Sequence, residues 1–298
     1  MPRAVILAGG QGMRLRPYTA VLPKPLLPIG DRPVLDIVMS QLYASGFQRL
    51  TVATGYMGEL IEAVLNHRNK RRLEIDYIRE REPMGTVGAL ALIEGLDEPF
   101  LVMNGDVLTD LDYRQLFTDH VASGAIATIA STTRHVQVSL GVLECESTNG
   151  VKRLTGYVEK PRLTYDVSMG VYCFSPEVLK YIEPNVTLDL PDLALRLIDA
   201  GEFVGAWHSD AYWVDLGRRE DYESAINDFE HMRDRLVPDD SRLRPEMTSQ
   251  DRGLAEDLPP TEGLSSTARG FAVEAQPPGA VEGAPPAGPN IVLTPPRD

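Results

Sequence analysis

"ILAGGQGMRLRP", residues 6–17, is the stretch from which the architecture of this chain can be inferred. An apolar run ends in Gly9, Gly10 and Gly12, and Arg14, Arg16 and Pro17 follow at once. A strand ending in Gly-Gly-x-Gly can bend sharply and bring its backbone close to a ligand, because no Cβ intervenes. Successive N–H groups in such a turn form a concavity that takes anions. The arginines add charge just beyond it, and Lys24 follows in "LPKPLLP". A solvated basic surface loop is the plainer alternative. Against it stands the concentration of positive charge at one place in an otherwise acidic chain. Neither common phosphate loop fits. There is no Gly-x-x-x-x-Gly-Lys-Ser/Thr, and Leu15 stands where the dinucleotide fingerprint needs its third glycine.

The apolar run "RAVILA" reads as a buried strand, and the texture repeats downstream. "PVLDIVMSQLYASG" has helical spacing and ends on Gly46. "RLTVAT" is a strand, "GELIEAVLNHR" a helix, "LEIDYI" a strand, "VGALALIEGL" a helix, "PFLVMNGD" a strand and "YRQLFTDHVASG" a helix. This alternation predicts an α/β fold with a Rossmann-like, mainly parallel (mixed) sheet flanked by helices on both faces. After residue 124 strands crowd together in "AIATIAS", "LGVLECE", "RLTGYVEK" and "VSMGVYCFS". Helices "PEVLKYI" and "LPDLALRLIDAG", strands "FVGAWHS" and "YWVDLG", and a helix over 218–235 follow. The second half is expected to extend the same sheet. Residues 1–237 are therefore read as one catalytic domain. Residues 238–298 hold eleven of the 23 prolines and are expected to form a disordered tail.

Bulk properties narrow the classes. The 298 residues suffice for one large domain or two ordinary ones. A net charge of −14 speaks against a nucleic-acid binder and against acidic membranes, but allows polyanionic substrates in a cationic cleft. No apolar run approaches a membrane span, and the N-terminus has no signal-peptide layout. Cys145 and Cys173 lie in apolar runs and read as buried thiols, which fits a cytoplasmic protein.

"LAGGQGMRLRPYTAVLPKPLLPI" resembles the signature of the sugar-1-phosphate nucleotidyltransferases, with Met13 in place of the usual Thr. "EPMGTVGAL" resembles their base-covering loop, "NGDVLTDLD" the metal-binding strand end, "YVEKP" the sugar-phosphate loop and "YWVDLG" the second metal carboxylate. The resemblance spans roughly residues 3–235 and is closest in pattern to mannose-1-phosphate guanylyltransferases. It implies attack of a sugar-1-phosphate on the α-phosphorus of a nucleoside triphosphate. The nucleophile is already an anion, so positioning and charge neutralisation carry the catalysis.

On that resemblance Arg14, Lys24 and Lys160 are catalytic, and Leu7, Ala8, Gly9, Gly10, Gly12, Glu80 and Gly85 bind nucleotide. Asn104, Gly141, Glu159, Ser168 and Gly170 bind sugar, and Asp106 and Asp215 hold Mg²⁺. Asp106 follows an apolar strand, where ligands of open α/β sheets bind, and carboxylate oxygen suits Mg²⁺. Its alternative is a turn residue, and that of Asp215 a helix cap. Asp110 and Asp112 read as caps or solvated residues, and Glu159–Lys160 could be a surface pair. Ser168-Met169-Gly170 departs from the family's Asn-Ala-Gly, which leaves the sugar open: mannose-, glucose-, N-acetylglucosamine- or heptose-1-phosphate.

Glu80 points to GTP. Guanine shows two adjacent donors that one carboxylate can accept, whereas thymine sets carbonyls beside its one donor. Glu82 could take that role instead, or either could pair with Arg79 or Arg81. The rivals are a pyrimidine-specific glucose-1-phosphate thymidylyl- or uridylyltransferase and a non-catalytic nucleotide-sugar-binding subunit. No hexapeptide repeats are present, so a bare catalytic domain plus a tail is expected. A homo-oligomer fits the resemblance but is not derivable from the sequence.

Overall fold

The computed structural model describes residues 2–69, 73–148 and 151–238. β1 (Arg3–Ala8) leads into three 3-10 turns, Met13–Leu15, Tyr18–Ala20 and Lys24–Leu26. β2 (Pro28–Ile29), β3 (Arg32–Pro33), α1 (Val34–Ala44), β4 (Arg49–Thr54), α2 (Gly58–Arg68) and β5 (Glu74–Arg79) follow. Next come α3 (Gly85–Gly88), a 3-10 turn (Ala89–Leu92), β6 (Phe100–Asn104), β7 (Val107–Thr109) and α4 (Tyr113–Ser123). The rest is β8 (Ala127–Gln137), β9 (Val142–Thr148), β10 (Val151–Val158), β11 (Arg162–Phe174), a 3-10 turn (Pro176–Tyr181), α5 (Leu190–Asp199), β12 (Val204–His208), β13 (Trp213–Asp215) and α6 (Arg219–Leu236).

Seven strands form the main sheet in the order β12-β8-β11-β6-β1-β4-β5. β5, β4, β1 and β6 run parallel, β11 runs antiparallel to β6 and β8, and β12 is parallel to β8. The mixed α/β sheet expected from the sequence is present. Strand side chains alternate between faces, and here each parity feeds its own core. Ala4, Ile6 and Ala8 of β1, Leu101 and Met103 of β6, and Val171 and Cys173 of β11 join α1, α2 and α6 on one face. Val5, Phe100, Val102, Tyr172 and Phe174 join α5 and the 3-10 turn Ala89–Leu92 on the other. Central strands buried on both faces explain the unbroken apolar runs.

Several expectations need correction. β9 and β10 form a separate ribbon, as do β7 and β13, so the second half extends the main sheet only through β8, β11 and β12. "VGALALIEGL" yields one α-turn and a 3-10 turn instead of a helix. The N–H groups of Val87 and Gly88 donate to Leu188 O, and glycine holds helical geometry weakly. "PEVLKYI" is likewise 3-10. Cys173 is buried, but Cys145 is exposed, because the face of β9 that bears it is uncovered within the described residues. Asp112 caps α4 by accepting from Gln115 N (2.9 Å). Asp110 is neither cap nor solvated: it accepts from Tyr212 N (2.8 Å), pairs with Arg235 and is nearly buried. Residues 239–298, and with them the expectation of a disordered tail, lie outside the described residues. Among those described, no helix is long and apolar enough to cross a membrane.

Candidate active site

The glycine loop leaves the carboxyl end of β1 and is held from both sides. Gly105 N donates to Leu7 O (2.9 Å) and Tyr56 N to Gly9 O (3.2 Å). Neighbouring backbone sits so close that a Cβ on Gly55 would lie 2.7 Å from Gly9 O. Gly12 has φ +61°, a conformation that favours glycine, and Thr19 Oγ1 closes the loop on Gly12 O at 2.8 Å. Leu15, where a dinucleotide loop would carry glycine, is fully buried and anchors the turn from below. Met13, the unusual residue at that position, is 65% exposed and lines the cavity that opens beside the loop.

Lys24 is aimed by its neighbours. Pro23 holds the backbone extended, and Leu26 N and Leu27 N fold back onto Pro23 O (2.9 Å) and Lys24 O (3.1 Å). Leu26 and Leu27 are buried and fix the turn. The ammonium pairs with Asp106 and lies 3.6 Å from Asp215 Oδ1. These carboxylates meet because β7 and β13 pair antiparallel, Asp215 opposite Val107, and Leu216 N donates to Asp106 O at 3.1 Å. The helix-cap alternative for Asp215 falls away: Arg218 occupies the N-cap of α6.

A cavity of about 340 Å³ opens at this point. Leu7, Ala8, Gly10, Gly12, Met13 and Arg14 of the glycine loop line it together with Lys24, Asn104, Asp106 and Asp215. Pro25 and Gly217 also line it; both lie within stretches that carry the resemblance, "LPKPLLP" and "YWVDLG", though neither is among the candidate site residues. A cavity of about 560 Å³ lies at the opposite ends of the strands, beside Arg3 and Arg49. Its cations are engaged already: Arg3 donates to Thr51, Glu94 O and Asp76, and Arg49 to Asp76.

Glu80 and Gly9 are not among the residues lining the cavity, but the Glu80 carboxyl packs on the glycine loop: a Cβ on Gly9 would be 2.3 Å from Oε1. Oε2 accepts from Met84 N at 3.1 Å. Burial raises its pKa above the usual carboxylate range, and the Met84 hydrogen bond opposes that in part. Arg79 is engaged with Glu59 and Glu62 instead, and Glu82 is exposed. Gly85 follows at φ +75°, against Leu188 O.

The sugar candidates divide into two groups. Gly170 (φ +72°) abuts Asn104, and its N–H donates to Ser168 Oγ at 3.3 Å. Ser168 Oγ in turn donates to Tyr172 OH at 3.4 Å. Burial raises the pKa of that phenol, with smaller contributions from Asp106 and Asp215. Asn104 Oδ1 is buried with no hydrogen-bond partner. Glu159, Lys160 and Gly141, by contrast, belong to the arm formed by the outer ends of β8 and β11 with β9 and β10. Glu159 and Lys160 are 61% and 63% exposed and lie 3.7 Å apart, and a Cβ on Gly141 would strike Tyr157. The structure does not bring these three into the cavity. Lys160 has φ +46°, a left-handed conformation that costs a lysine energy.

The sequence profile of the nucleotidyl transferase family matches residues 3–232. The UTP–glucose-1-phosphate uridylyltransferase of Synechocystis sp. is 34% identical over 244 residues, 75% of this chain and 62% of that protein. The mannose-1-phosphate guanylyltransferase catalytic subunit beta of Danio rerio is 32% identical over 227 residues, covering 74% of this chain and 62% of that one. The chain thus spans under two thirds of the length of these relatives. The structure of HddC from Yersinia pseudotuberculosis complexed with GMP-PN superposes with TM-score 0.59 at 28% identity, over 77% of this chain and all of that one.

Proposed function

The chain belongs to the nucleotidyl transferase family, and from that premise we propose that it transfers a nucleotidyl group from GTP to a sugar-1-phosphate, mannose-1-phosphate, releasing pyrophosphate. The observation that carries this reading is the meeting of Lys24, Asp106 and Asp215 beside the glycine loop. A phosphate oxygen of the sugar attacks the α-phosphorus, and the bond from that phosphorus to pyrophosphate breaks. No proton need be removed from the nucleophile, so the protein's task is to align two anions and neutralise their charge. The loop's N–H groups cradle phosphate, Arg14 faces the departing pyrophosphate, and Lys24 supports the reacting phosphoryl group.

Asp106 and Asp215 fit a Mg²⁺ ion. Their donors are hard oxygens, they come from separate segments, and both already converge on one cation, the Lys24 ammonium. Mg²⁺ bound there would supply charge neutralisation at the phosphates. Asn104 Oδ1, a buried acceptor lacking a donor, suits a sugar hydroxyl.

The choice of GTP rests on Glu80. A half-buried carboxylate on the loop offers acceptors to the two adjacent donors of guanine, and would oppose a pyrimidine carbonyl. The names of the relatives divide between guanylyl and uridylyl transfer. The pyrimidine reading, uridylyl or thymidylyl transfer to glucose-1-phosphate, is therefore the one to beat. The test is pyrophosphate release from GTP, UTP, dTTP and CTP against mannose-, glucose-, N-acetylglucosamine- and heptose-1-phosphate, with Mg²⁺ and with EDTA. GTP should lead, and EDTA should stop the reaction. Preference for UTP or dTTP would discard the Glu80 argument. Binding without turnover under every condition would leave a nucleotide-sugar-binding subunit.

A further inference from the structure

Ser168 stands where the family has asparagine, and its shorter side chain turns to Tyr172 of the same strand. Gly170 N donates to Ser168 Oγ at 3.3 Å, and Ser168 Oγ donates to the phenol oxygen of Tyr172 at 3.4 Å. The phenol thus receives a hydrogen bond, while its own proton has no acceptor among the described residues. Tyr172 is only 4% exposed, and a buried tyrosine O–H ordinarily finds a partner. The β11–β6 register sets Tyr172 opposite Val102. Asn104, two residues on, shares that face of the sheet. Gly170, beside Asn104, carries no side chain, and its backbone abuts the amide. Asn104 Oδ1 is a buried acceptor without a donor. β11 runs antiparallel to β6, so its residues before Gly170 lie past the carboxyl end of β6, on the side where the cavity opens. In reaching Ser168 the phenol oxygen points to that side. Burial raises its pKa, and Asp106 and Asp215 are near enough to add to the rise.

We propose that Tyr172 is a specificity-determining residue that donates its phenolic hydrogen bond to one hydroxyl of the sugar, with Ser168 as the positioning residue that holds the phenol toward the cavity. The inference rests on the sugar-1-phosphate reading above and names the group by which the sugar is read. A hydroxyl carries donor and acceptor on one atom. It takes the Tyr172 proton and gives its own to Asn104 Oδ1, whose amide turns about a broad terminal torsion to meet it. A deoxy position leaves both protein groups unpaired. An acetamido group carries its donor and its acceptor on separate atoms, so it does not replace the hydroxyl between the same two partners. A site built on buried polar pairs discriminates strongly, because the wrong substituent leaves them unmatched. The serine has its place in this device: what its side chain gives up in reach, it uses to fix the phenol.

The test is steady-state kinetics on the full chain with the best sugar-1-phosphate of the panel above and its monodeoxy analogues. Tyr172→Phe should lower kcat/KM for the parent sugar roughly 5–10-fold, the scale of one neutral hydrogen bond, and leave KM for GTP unchanged. One deoxy analogue should be turned over equally by wild type and variant, because it lacks the hydroxyl that the phenol holds. Ser168→Ala should narrow the same preference for the parent over that analogue, and Ser168→Thr should restore it. The double variant should lose no more than Tyr172→Phe alone. Ser168 is exposed, so its variants report even if the core rejects phenylalanine. Equal losses on the parent and every analogue, or no loss on any, overturn the proposal. Turnover of GTP with mannose-1-phosphate lacking this pattern sinks the role of Tyr172 alone. The pattern seen with UTP or dTTP keeps that role and discards GTP. Should no pair turn over, calorimetric binding of the sugar phosphates to wild type and Tyr172→Phe reads the same difference. Equal affinities then overturn the role of Tyr172, and no binding overturns both readings.

Discussion

Two lysines in this chain each sit beside carboxylates, and their settings are opposite. Lys24 is 11% exposed, fixed between prolines, and meets Asp106 and Asp215 from segments about 80 and 190 residues away. Lys160 is 63% exposed, strained at φ +46°, and its carboxylate neighbour is the preceding residue. The first constellation exists only because the whole sheet is folded. The second would exist in a short peptide. The half of the site read as nucleotide-binding is thus built into the core, while part of the half read as sugar-binding hangs on an arm that the core does not restrain. Pre-organised charge acts strongly on a transition state because it need not reorganise, so variants in the two places should differ in kind as well as size.

The largest effect is expected from Asp106→Asn. Losing one carboxylate of the pair should cut turnover by about 10³-fold, on the order of other losses of pre-organised charge. Lys24 keeps Asp215 at 3.6 Å, so no buried charge is stranded and the fold should persist. Pyrophosphate release together with near-UV circular dichroism checks both halves. Full activity in the Asp106→Asn protein would break the comparison at its root.

Next comes Gly9→Ala. The new Cβ would fall 2.3 Å from Glu80 Oε1, against the end of a flexible side chain. The carboxylate should therefore move and the loop remain. GTP affinity should fall roughly 10–100-fold, the range of one or two hydrogen bonds to a charged group, with much less change for UTP. Calorimetric titration of both nucleotides measures this. Equal losses would show that the methyl group blocks the loop and that Glu80 selects nothing.

These two sites also mark what the sequence discloses. The glycine loop is legible because its chemistry is local: bare backbone at the end of an apolar run, then cations. Asp106 is legible for the same reason. The meeting of Asp215 with Asp106 is not, because it depends on the β7–β13 register, and only resemblance to a known family suggests it. Asp110 misleads because an aspartate after a strand looks alike whether it caps a turn or faces Arg235, 125 residues on. Cys145 misleads because an apolar run predicts a strand, and does not say whether anything covers its face. The glycines of "VGALALIEGL" hide a tertiary contact, Leu188 O, that outweighs helical spacing.

A smaller effect is expected on the arm. Lys160→Ala should raise KM for the sugar phosphate about 5–10-fold, the scale of an exposed charge contact near 1 kcal/mol. Its ammonium is exposed, so thermal stability should stay unchanged. Steady-state kinetics varying each substrate alone would show whether the loss is confined to the sugar side. A collapse of kcat as large as that of Asp106→Asn would erase the distinction between core and arm.

The last and smallest effect separates the two regions by acid. His120 is buried at 1% exposure, with Nδ1 2.8 Å from Thr128 Oγ1 and Nε2 3.3 Å from Ser175 Oγ. Burial lowers its pKa from the ordinary 6.5, against a weaker opposing hydrogen-bond contribution from the backbone of Phe174. The folded protein therefore prefers the neutral ring. That contribution is fully present above the unfolded value of 6.5 and is lost as pH falls toward and through the lower folded value. Thermal melts from pH 7.5 down to 5 should decline in the wild type, at roughly 2–4 °C per kcal/mol for a domain of this size. His120→Gln, uncharged throughout, should be less stable at pH 7.5 yet show a flatter decline. Lys160→Ala should keep the wild-type slope, because the arm adds nothing to the core that His120 reports on. A slope unchanged in His120→Gln would place the acid sensitivity elsewhere and remove the imidazole from the account of core stability.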